Sequence, residues 1–299
     1  MAAFTAKDVM ALREKSGAGM LDCKKALTDA DGDMEKAADL LRERGIAKAI
    51  KKESRVAAEG CVAAYVEGGT GVLLEINCES DFVSRGEKFH AILDQVGKVI
   101  IDCKPADVDA LLACPLGEGT VKDVIQNATF TIGEKVSIRR FTVYEAEGEI
   151  ETYIHMGGKS GVMVEATGCS GDYKETLHDI ALQIAASRPS YLAPEDVPAD
   201  VLAKEKAIQI AQMKEDPKMA NKPEAVLEKI VSGKMGKFYS DNCLLEQAFV
   251  KDDSQKVKQV IGKKFAVKRF VRYEMGEGIE KKVTNLEDEI AQQVASAKK

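Results

Sequence analysis

Gly157-Gly158-Lys159-Ser160 is where this chain most invites a chemical reading, because a glycine-rich turn ending in Lys-Ser can cradle phosphate. The spacing fails. A phosphate loop needs a glycine separated by four residues from the Gly-Lys pair, and Tyr153 stands there. The context fails too. Such a loop joins a strand to a helix, so that helix-terminal N–H groups face the phosphate. Here the alternation on both sides predicts a turn between two strands. His155 precedes the turn, but neither His90 nor His178 is an obvious partner in sequence. No Ser-His-Asp, Cys-His or paired-carboxylate arrangement stands out, so no chemical active site is expected. The 7 cysteines form no C-x-x-C pair and take no metal-ligand spacing with the 3 histidines. They read as small buried thiols of a reducing cytosol, and no cofactor is expected.

The more informative chemistry is recognition. In the stretch Glu75-Ile76-Asn77-Cys78-Glu79-Ser80-Asp81-Phe82-Val83-Ser84-Arg85, an acid and a large aromatic stand side by side where a strand ends. Neighbours in an extended or turning segment point different ways, so both cannot enter one core. Either Ser80 or Asp81 caps a helix with Phe82 tucked inside, or the pair projects as a two-pronged tip. A second candidate is Ser16-Gly17-Ala18-Gly19-Met20-Leu21, where two bulky apolar residues follow a glycine-rich turn. They belong either to a small helical core or to an exposed loop that docks a protein.

The elements that must position these residues follow from periodicity. Residues 5–52 carry three short helical patterns, opened by a Thr5-x-x-Asp8 capping box and broken at Ser16–Gly19 and Asp31-Gly32. Met34, Ala37, Ala38 and Leu41 form one apolar face. Lys48 to Ser54 reads as a linker or frayed helix. From residue 55 the period becomes two and the pattern repeats. One hairpin starts at Glu59-Gly60 and turns at Gly68–Gly71; another starts at Glu147-Gly148 and turns at Met156–Gly161. An amphipathic helix follows each, one with Phe89, Ile92, Leu93, Val96 and Ile100, the other with Leu177, Ile180, Ala181 and Ile184. Arg139-Arg140-Phe141 and Lys268-Arg269-Phe270 sit in matching strands that close a three-stranded sheet in each copy. The second copy has Thr167-Gly168-Cys169-Ser170-Gly171-Asp172 where the first has the acid–aromatic pair, which favours a role special to the first.

Helices over Val201 to Met213 and Pro223 to Ile230 predict a helical hairpin inserted at about 194–236. Asn285 to Ala297 predicts a short amphipathic tail helix. The fold class is α+β: a three-helix module at 1–54, core subdomains at 55–140 and 141–274, and a C-terminal module at 275–299. The net charge of −6 and pI near 5.4 argue against a direct nucleic-acid binder. No run reaches transmembrane length and the N-terminus has no apolar core segment, so a cytoplasmic protein is expected, with no membrane contact.

Together these features resemble the elongation factor Ts family. The resemblance rests on Val9-x-x-Leu12-Arg13-x-x-Ser16 through Leu27, on Glu75 to Arg85, and on Arg269-Phe270-x-x-Tyr273-Glu274-x-Gly276-Glu277-Gly278. The duplicated core and the inserted hairpin match as well. Ser16 and Ser80 stand where the family usually has Thr, and Leu21 where a second Met is common. The resemblance implies a guanine-nucleotide exchange factor, not an enzyme, acting on elongation factor Tu in its GDP-bound and nucleotide-free states. It implies a ubiquitin-associated-like (UBA-like) N-terminal module and a coiled-coil hairpin. It places Asp81, Phe82 and Val83 against the partner's magnesium site, and Arg13, Met20, Leu21, Lys24 and His155 at other partner contacts. A complex with two copies of each protein is also expected. The alternative is a UBA-type adaptor or scaffold without exchange activity, which accounts for the first 50 residues but not for the Asp81-Phe82 pair or the duplication.

Overall fold

Thr5 and Asp8 open the first helix as their spacing predicts. The Thr5 N–H donates to Asp8 Oδ2 at 2.7 Å, and the Thr5 hydroxyl accepts from the Asp8 N–H. The structure, a computed structural model, describes residues 4–215 and 222–280. It divides into two compact units. Of the described residues, one takes 4–62, 74–141 and 274–280; the other takes 63–73, 142–215 and 222–273.

In the first unit, helices α1 (Ala6–Ser16), α2 (Met20–Asp29) and α3 (Met34–Lys52) bury Val9, Leu12, Cys23, Ala26, Leu27, Ala37 and Leu41 against one another. Gly17 ends α1 at φ 67°, a left-handed conformation open to glycine. Asp33 caps α3 by accepting from the Glu35 and Lys36 N–H groups. Contrary to the linker reading, α3 stays helical through Lys52. Tertiary contacts hold this polar end: Lys48 lies over the Phe130 ring and Lys52 reaches the Thr129 and Gly133 carbonyls.

Strands β1 (Glu59–Glu67) and β2 (Thr70–Cys78) then form a hairpin, and β2 is buried along its whole length. A single turn, α4 (Asp81–Ser84), leads to α5 (Glu87–Cys103), which buries the expected face of Phe89, Ile92, Leu93, Val96 and Ile100. The hydropathy pattern leaves 104–135 unassigned. The chain makes α6 (Val108–Ala113), the short strands β3 (Pro115–Leu116) and β4 (Gly119–Thr120), and α7 (Val121–Ile132) there. A second capping box, Thr120 with Asp123, starts α7, and Gly133 ends it. Strand β5 (Ser137–Glu145) completes a sheet ordered β1-β2-β5.

The second unit repeats the plan. Strands β6 (Glu149–His155) and β7 (Ser160–Thr167) pair antiparallel from Glu149↔Ala166 to His155↔Ser160. Helix α8 (Lys174–Ser187) buries Leu177, Ile180, Ala181 and Ile184. The inserted hairpin follows as α9 (Ala199–Glu215) and α10 (Glu224–Asn242). α10 runs twelve residues past the expected stop at Ile230, through Gly233 and Gly236. Each glycine costs a helix only about 1 kcal/mol. Leu227, Val231 and Met235 continue the apolar face across them, packed against Phe238 and Tyr239. Then come β8 (Ala248–Phe249), β9 (Asp252–Lys256), α11 (Val257–Ile261) and β10 (Ala266–Glu274), giving a sheet ordered β10-β7-β6. The expected tail helix at 285–297 lies outside the described residues.

Two details account for the repeated signals. An added Cβ on Gly60 falls 2.2 Å from the Ile76 carbonyl oxygen, and one on Gly148 falls 2.0 Å from that of Ala166. Only glycine fits where each hairpin begins. The basic pairs serve buried acids. Glu75 is fully buried and accepts from Arg139 Nη1 (3.1 Å), Arg140 Nε (2.7 Å) and the Gly276 N–H (2.8 Å). Glu165, also fully buried, accepts from Arg269 Nε (2.6 Å), Lys268 Nζ (3.3 Å) and the Glu147 N–H (3.2 Å). A buried carboxylate persists only with such pairing. Each unit therefore carries the same ionic lock.

Candidate partner-binding site

The chain leaves β2 at Cys78 and turns at once. Ser80 is the N-cap of α4, its hydroxyl accepting from the Val83 N–H at 3.5 Å. Half of the first alternative thus holds, since Ser80 does cap a helical turn. The other half does not: Phe82 is 88% exposed, while Ser84 faces inward and is buried. Asp81 is half-exposed and pairs with Arg85 at 2.9 Å. Val83 is half-buried beside them. A free aromatic next to an acid therefore projects from the end of the central strand.

The residues that brace this turn were not legible from local pattern. Glu134 accepts from the Ser80 N–H at 2.9 Å and from the Ser80 hydroxyl at 2.6 Å. Glu79 accepts from the Lys135 N–H at 2.6 Å and pairs with Arg55 at 3.3 Å. The Cys78 thiol points to the Ser80 carbonyl at 3.2 Å. Of these groups only Cys78 and Glu79 lie inside the Glu75–Arg85 motif, and nothing in its spacing names Arg55, Glu134 or Lys135 as partners.

In the same unit, Met20 and Leu21 open α2 and are 42% and 82% exposed. They are not core residues; Ala18, between the two glycines, is. The turn before them is fixed. The Ser16 hydroxyl donates to the Leu12 carbonyl at 2.6 Å, and the Ala18 N–H donates back to that hydroxyl at 3.3 Å. Arg13 and Lys24 are exposed on α1 and α2. Asp22 pairs with Lys48 at 2.9 Å, which ties the start of α2 to α3.

His155 belongs to the second unit. It is the exposed last residue of β6, and Tyr153 Oη sits 2.9 Å from its Nδ1. The Tyr153 ring meets His178 edge-on, and His178 Nδ1 lies 2.8 Å from Glu151. His178 is thus a neighbour of the group although the sequence offers no link; His90 lies against Phe89 in the other unit. Met156, which the sequence marks only as the start of the turn, is 74% exposed and held at φ 48°, with the Gly158 and Lys159 N–H groups both donating to the His155 carbonyl. The glycine-rich turn joins two strands, as expected, and no helix begins there.

Among the described residues, no three His, Cys, Asp or Glu side chains gather to hold a metal ion, and no helix is long and apolar enough to cross a membrane. A braced acid–aromatic prong and exposed apolar side chains at the start of α2 are features of a protein-docking surface. The family model described as "Elongation factor TS" matches residues 79–277. The protein named "Elongation factor Ts" from Oenococcus oeni is 47% identical over 297 residues, covering 98% of this chain and 99% of that protein. Its namesake from Symbiobacterium thermophilum is 46% identical over 310 residues (98% and 99%), and that from Trichlorobacter lovleyi 44% over 308 residues (97% and 98%). The chain belongs to the elongation factor Ts family.

Proposed function

We propose that this chain is a guanine-nucleotide exchange factor that binds elongation factor Tu and promotes GDP release during translation elongation. The observation that carries the mechanism is Phe82, exposed beside Asp81 on a braced turn, in a chain of this family. In this reading Asp81, Phe82 and Val83 enter the partner's G domain beside its magnesium site. Mg²⁺ demands near-octahedral oxygen ligands at short distance, so a small displacement of their supports weakens nucleotide binding. Burying Phe82 in an apolar gap supplies about 1.5–3 kcal/mol toward that displacement. The Asp81–Arg85 pair is exposed and costs at most about 1 kcal/mol to exchange for partner groups. A ~10⁴-fold faster release needs ~5.5 kcal/mol off the barrier. One prong is therefore not enough, and Arg13, Met20, Leu21, Lys24 and His155 supply further docking energy. The coupling is reciprocal: a factor that weakens GDP binding is itself bound less tightly when GDP is present. It leaves when nucleotide returns.

The same reading assigns α1–α3 as a UBA-like docking module and α9–α10 as a coiled-coil appendage. It divides the chain at 1–54, 55–140, 141–274 and 275–299, with the last segment packing on the partner. It places the protein in the cytoplasm and has it bind both GDP-bound and nucleotide-free partner, in an assembly that reaches two copies of each chain. The decisive experiment measures whether labelled GDP leaves purified elongation factor Tu faster when this protein is added. An adaptor without exchange activity leaves that rate unchanged.

Two further results are expected. Leu21→Asp places a charge where an apolar contact is proposed. It should raise the factor concentration needed for half-maximal release at least ~10-fold, the effect of losing about 1.4 kcal/mol of docking energy. An unchanged half-saturation point removes Leu21 from the interface. The α9–α10 hairpin packs on its own core of Met213, Leu227, Val231 and Met235. Its base is closed by the Ser190 and Tyr191 N–H groups donating to the Asn242 carbonyl. Replacing residues 199–238 by a short Gly/Ser connection should keep a native circular-dichroism profile, allowing for the lost helices, and most of the exchange rate. Complete loss of exchange in such a folded variant would make the hairpin part of the machinery.

A further inference from the structure

We propose that Glu134 is a positioning residue for nucleotide exchange: with Glu79 it forms a crossed pair of carboxylate clamps that holds the Asp81-Phe82 turn in its projecting geometry. The proposal rests on the exchange reading of that turn. Glu134 follows α7, 54 residues from Ser80 in the chain. Both of its oxygens are used on Ser80, one by the N–H at 2.9 Å and one by the hydroxyl at 2.6 Å. The reverse bond runs from the Lys135 N–H to Glu79 Oε1 at 2.6 Å. Each of the two segments thus offers a carboxylate to the other's backbone, and the turn is held from both sides.

The clamp reaches further. Arg55 Nη1 lies 3.3 Å from both Glu79 oxygens. Lys135 Nζ donates to the carbonyls of Glu53 (2.6 Å) and Arg55 (3.0 Å). The chain leaving α3 is therefore tied to the residues that grip the prong. The start of α2, tied to α3 by Asp22 and Lys48, and the Asp81-Phe82 turn are thus both linked to the Glu134-Lys135 junction.

The physical need is clear from the prong itself. α4 has only four residues, too few to be stable alone. Phe82 buries almost nothing in the free chain, so packing does not fix its direction. Order must come from polar anchors. Charge-assisted hydrogen bonds to a carboxylate are about twice as strong as neutral ones. By accepting the hydrogen bond of the Ser80 hydroxyl, Glu134 also turns a hydroxyl lone pair toward the Val83 N–H and completes the cap. A prong ordered before contact delivers its burial energy to the partner; a loose one spends part of it on becoming ordered.

The test compares Glu134→Ala and Glu134→Gln in stopped-flow release of labelled GDP from elongation factor Tu, with factor concentration varied to saturation. Phe82→Ala runs alongside. Glu134→Ala should slow release at saturating factor about 10-fold, the worth of one or two hydrogen bonds, with little change in half-saturation. Hydrogen exchange at the Val83 and Ser84 amides should quicken in the free protein. Glu134→Gln keeps one oxygen that accepts from Ser80 but loses the second acceptor and the charge, so it should slow release less than Glu134→Ala does. A normal saturating rate in Glu134→Ala while Phe82→Ala is slow overturns the clamp alone. Normal rates in both overturn the exchange reading of the turn and the clamp with it. A Gln variant as slow as Ala also counts against the clamp. If Glu134→Ala does not fold, Ser80→Ala removes only the hydroxyl half of the grip, and a normal rate there is equally fatal.

Discussion

Phe82→Ala is expected to leave the stability of the free protein almost unchanged and to slow GDP release from saturated elongation factor Tu by ~10- to 100-fold. The size follows from the energy at stake. An exposed phenylalanine contributes little to its own fold, but burying it in a partner is worth about 1.5–3 kcal/mol, and each 1.36 kcal/mol is a factor of ten in rate. Phe89, seven residues on, is the internal control. It is 1% exposed and belongs to the face that α5 packs inward. Phe89→Ala should cost ~3–5 kcal/mol of folding stability, the ordinary result for a core aromatic. The same chemical truncation at two nearby positions therefore separates wedge from core. Thermal unfolding and stopped-flow release on both variants decide the matter. A large fall in melting temperature for Phe82→Ala with normal release would show that the prong belongs to this protein's own interior. Asp81→Ala should slow release as well, without the stability loss, because its partner Arg85 is exposed and the pair contributes little to folding.

What could be read in the sequence was whatever depends on neighbours in the chain. Thr5 and Asp8, Asp33, and the faces of α5 and α8 are local arrangements, and the structure has them where periodicity put them. The duplication was readable because both copies need glycine at the same tight approach and a basic pair at the same depth. The direction of Phe82 was not readable. Adjacent acid and aromatic residues at a strand exit fit an inward or an outward ring equally well, and the choice depends on what lies across the turn. That is Glu134, 54 residues beyond Ser80. The periodicity placed the end of α10 at Ile230, whereas the helix and its apolar face run on past Gly233 and Gly236, held by packing within the hairpin. Helix α7 did carry a local signature, Thr120 with Asp123 and a closing Gly133. Its role in supporting α3 through Phe130 is tertiary and left no trace in spacing. That support also bears on experiment. Deleting residues 1–54 would uncover Phe130 and remove the Glu53 carbonyl that Lys135 grips, so point substitutions test the docking loop more cleanly.

Glu165→Gln should lower stability by about 3 kcal/mol at neutral pH, and the deficit should shrink as the solution is acidified. Removing one partner of a buried ion pair costs about 3–5 kcal/mol. The lower end applies because Arg269 and Lys268 keep contact with solvent and can rehydrate. Burial alone pushes the Glu165 carboxyl up, but hydrogen bonds from Arg269, the Glu147 N–H and Lys268 outweigh it and hold its pKa below the ordinary value. A carboxyl whose pKa is depressed by folding adds stability above its unfolded pKa, near 4.3, and loses it as pH falls through the folded value. In acid the native protein must carry a protonated Glu165 beside Arg269, which is electrostatically what the amide variant carries at every pH. Urea unfolding of both proteins at pH 7 and at pH values below about 4 measures the gap directly. A gap of the same size at both ends would mean that shape, not charge, makes Glu165 valuable. Glu75, with the same geometry in the first unit, anchors Arg139, Arg140 and the Gly276 N–H at once. Glu75→Gln should therefore also loosen the segment after β10, read as faster hydrogen exchange at the Gly276 amide, while the Gly148–Ala166 hairpin start in the second unit stays protected.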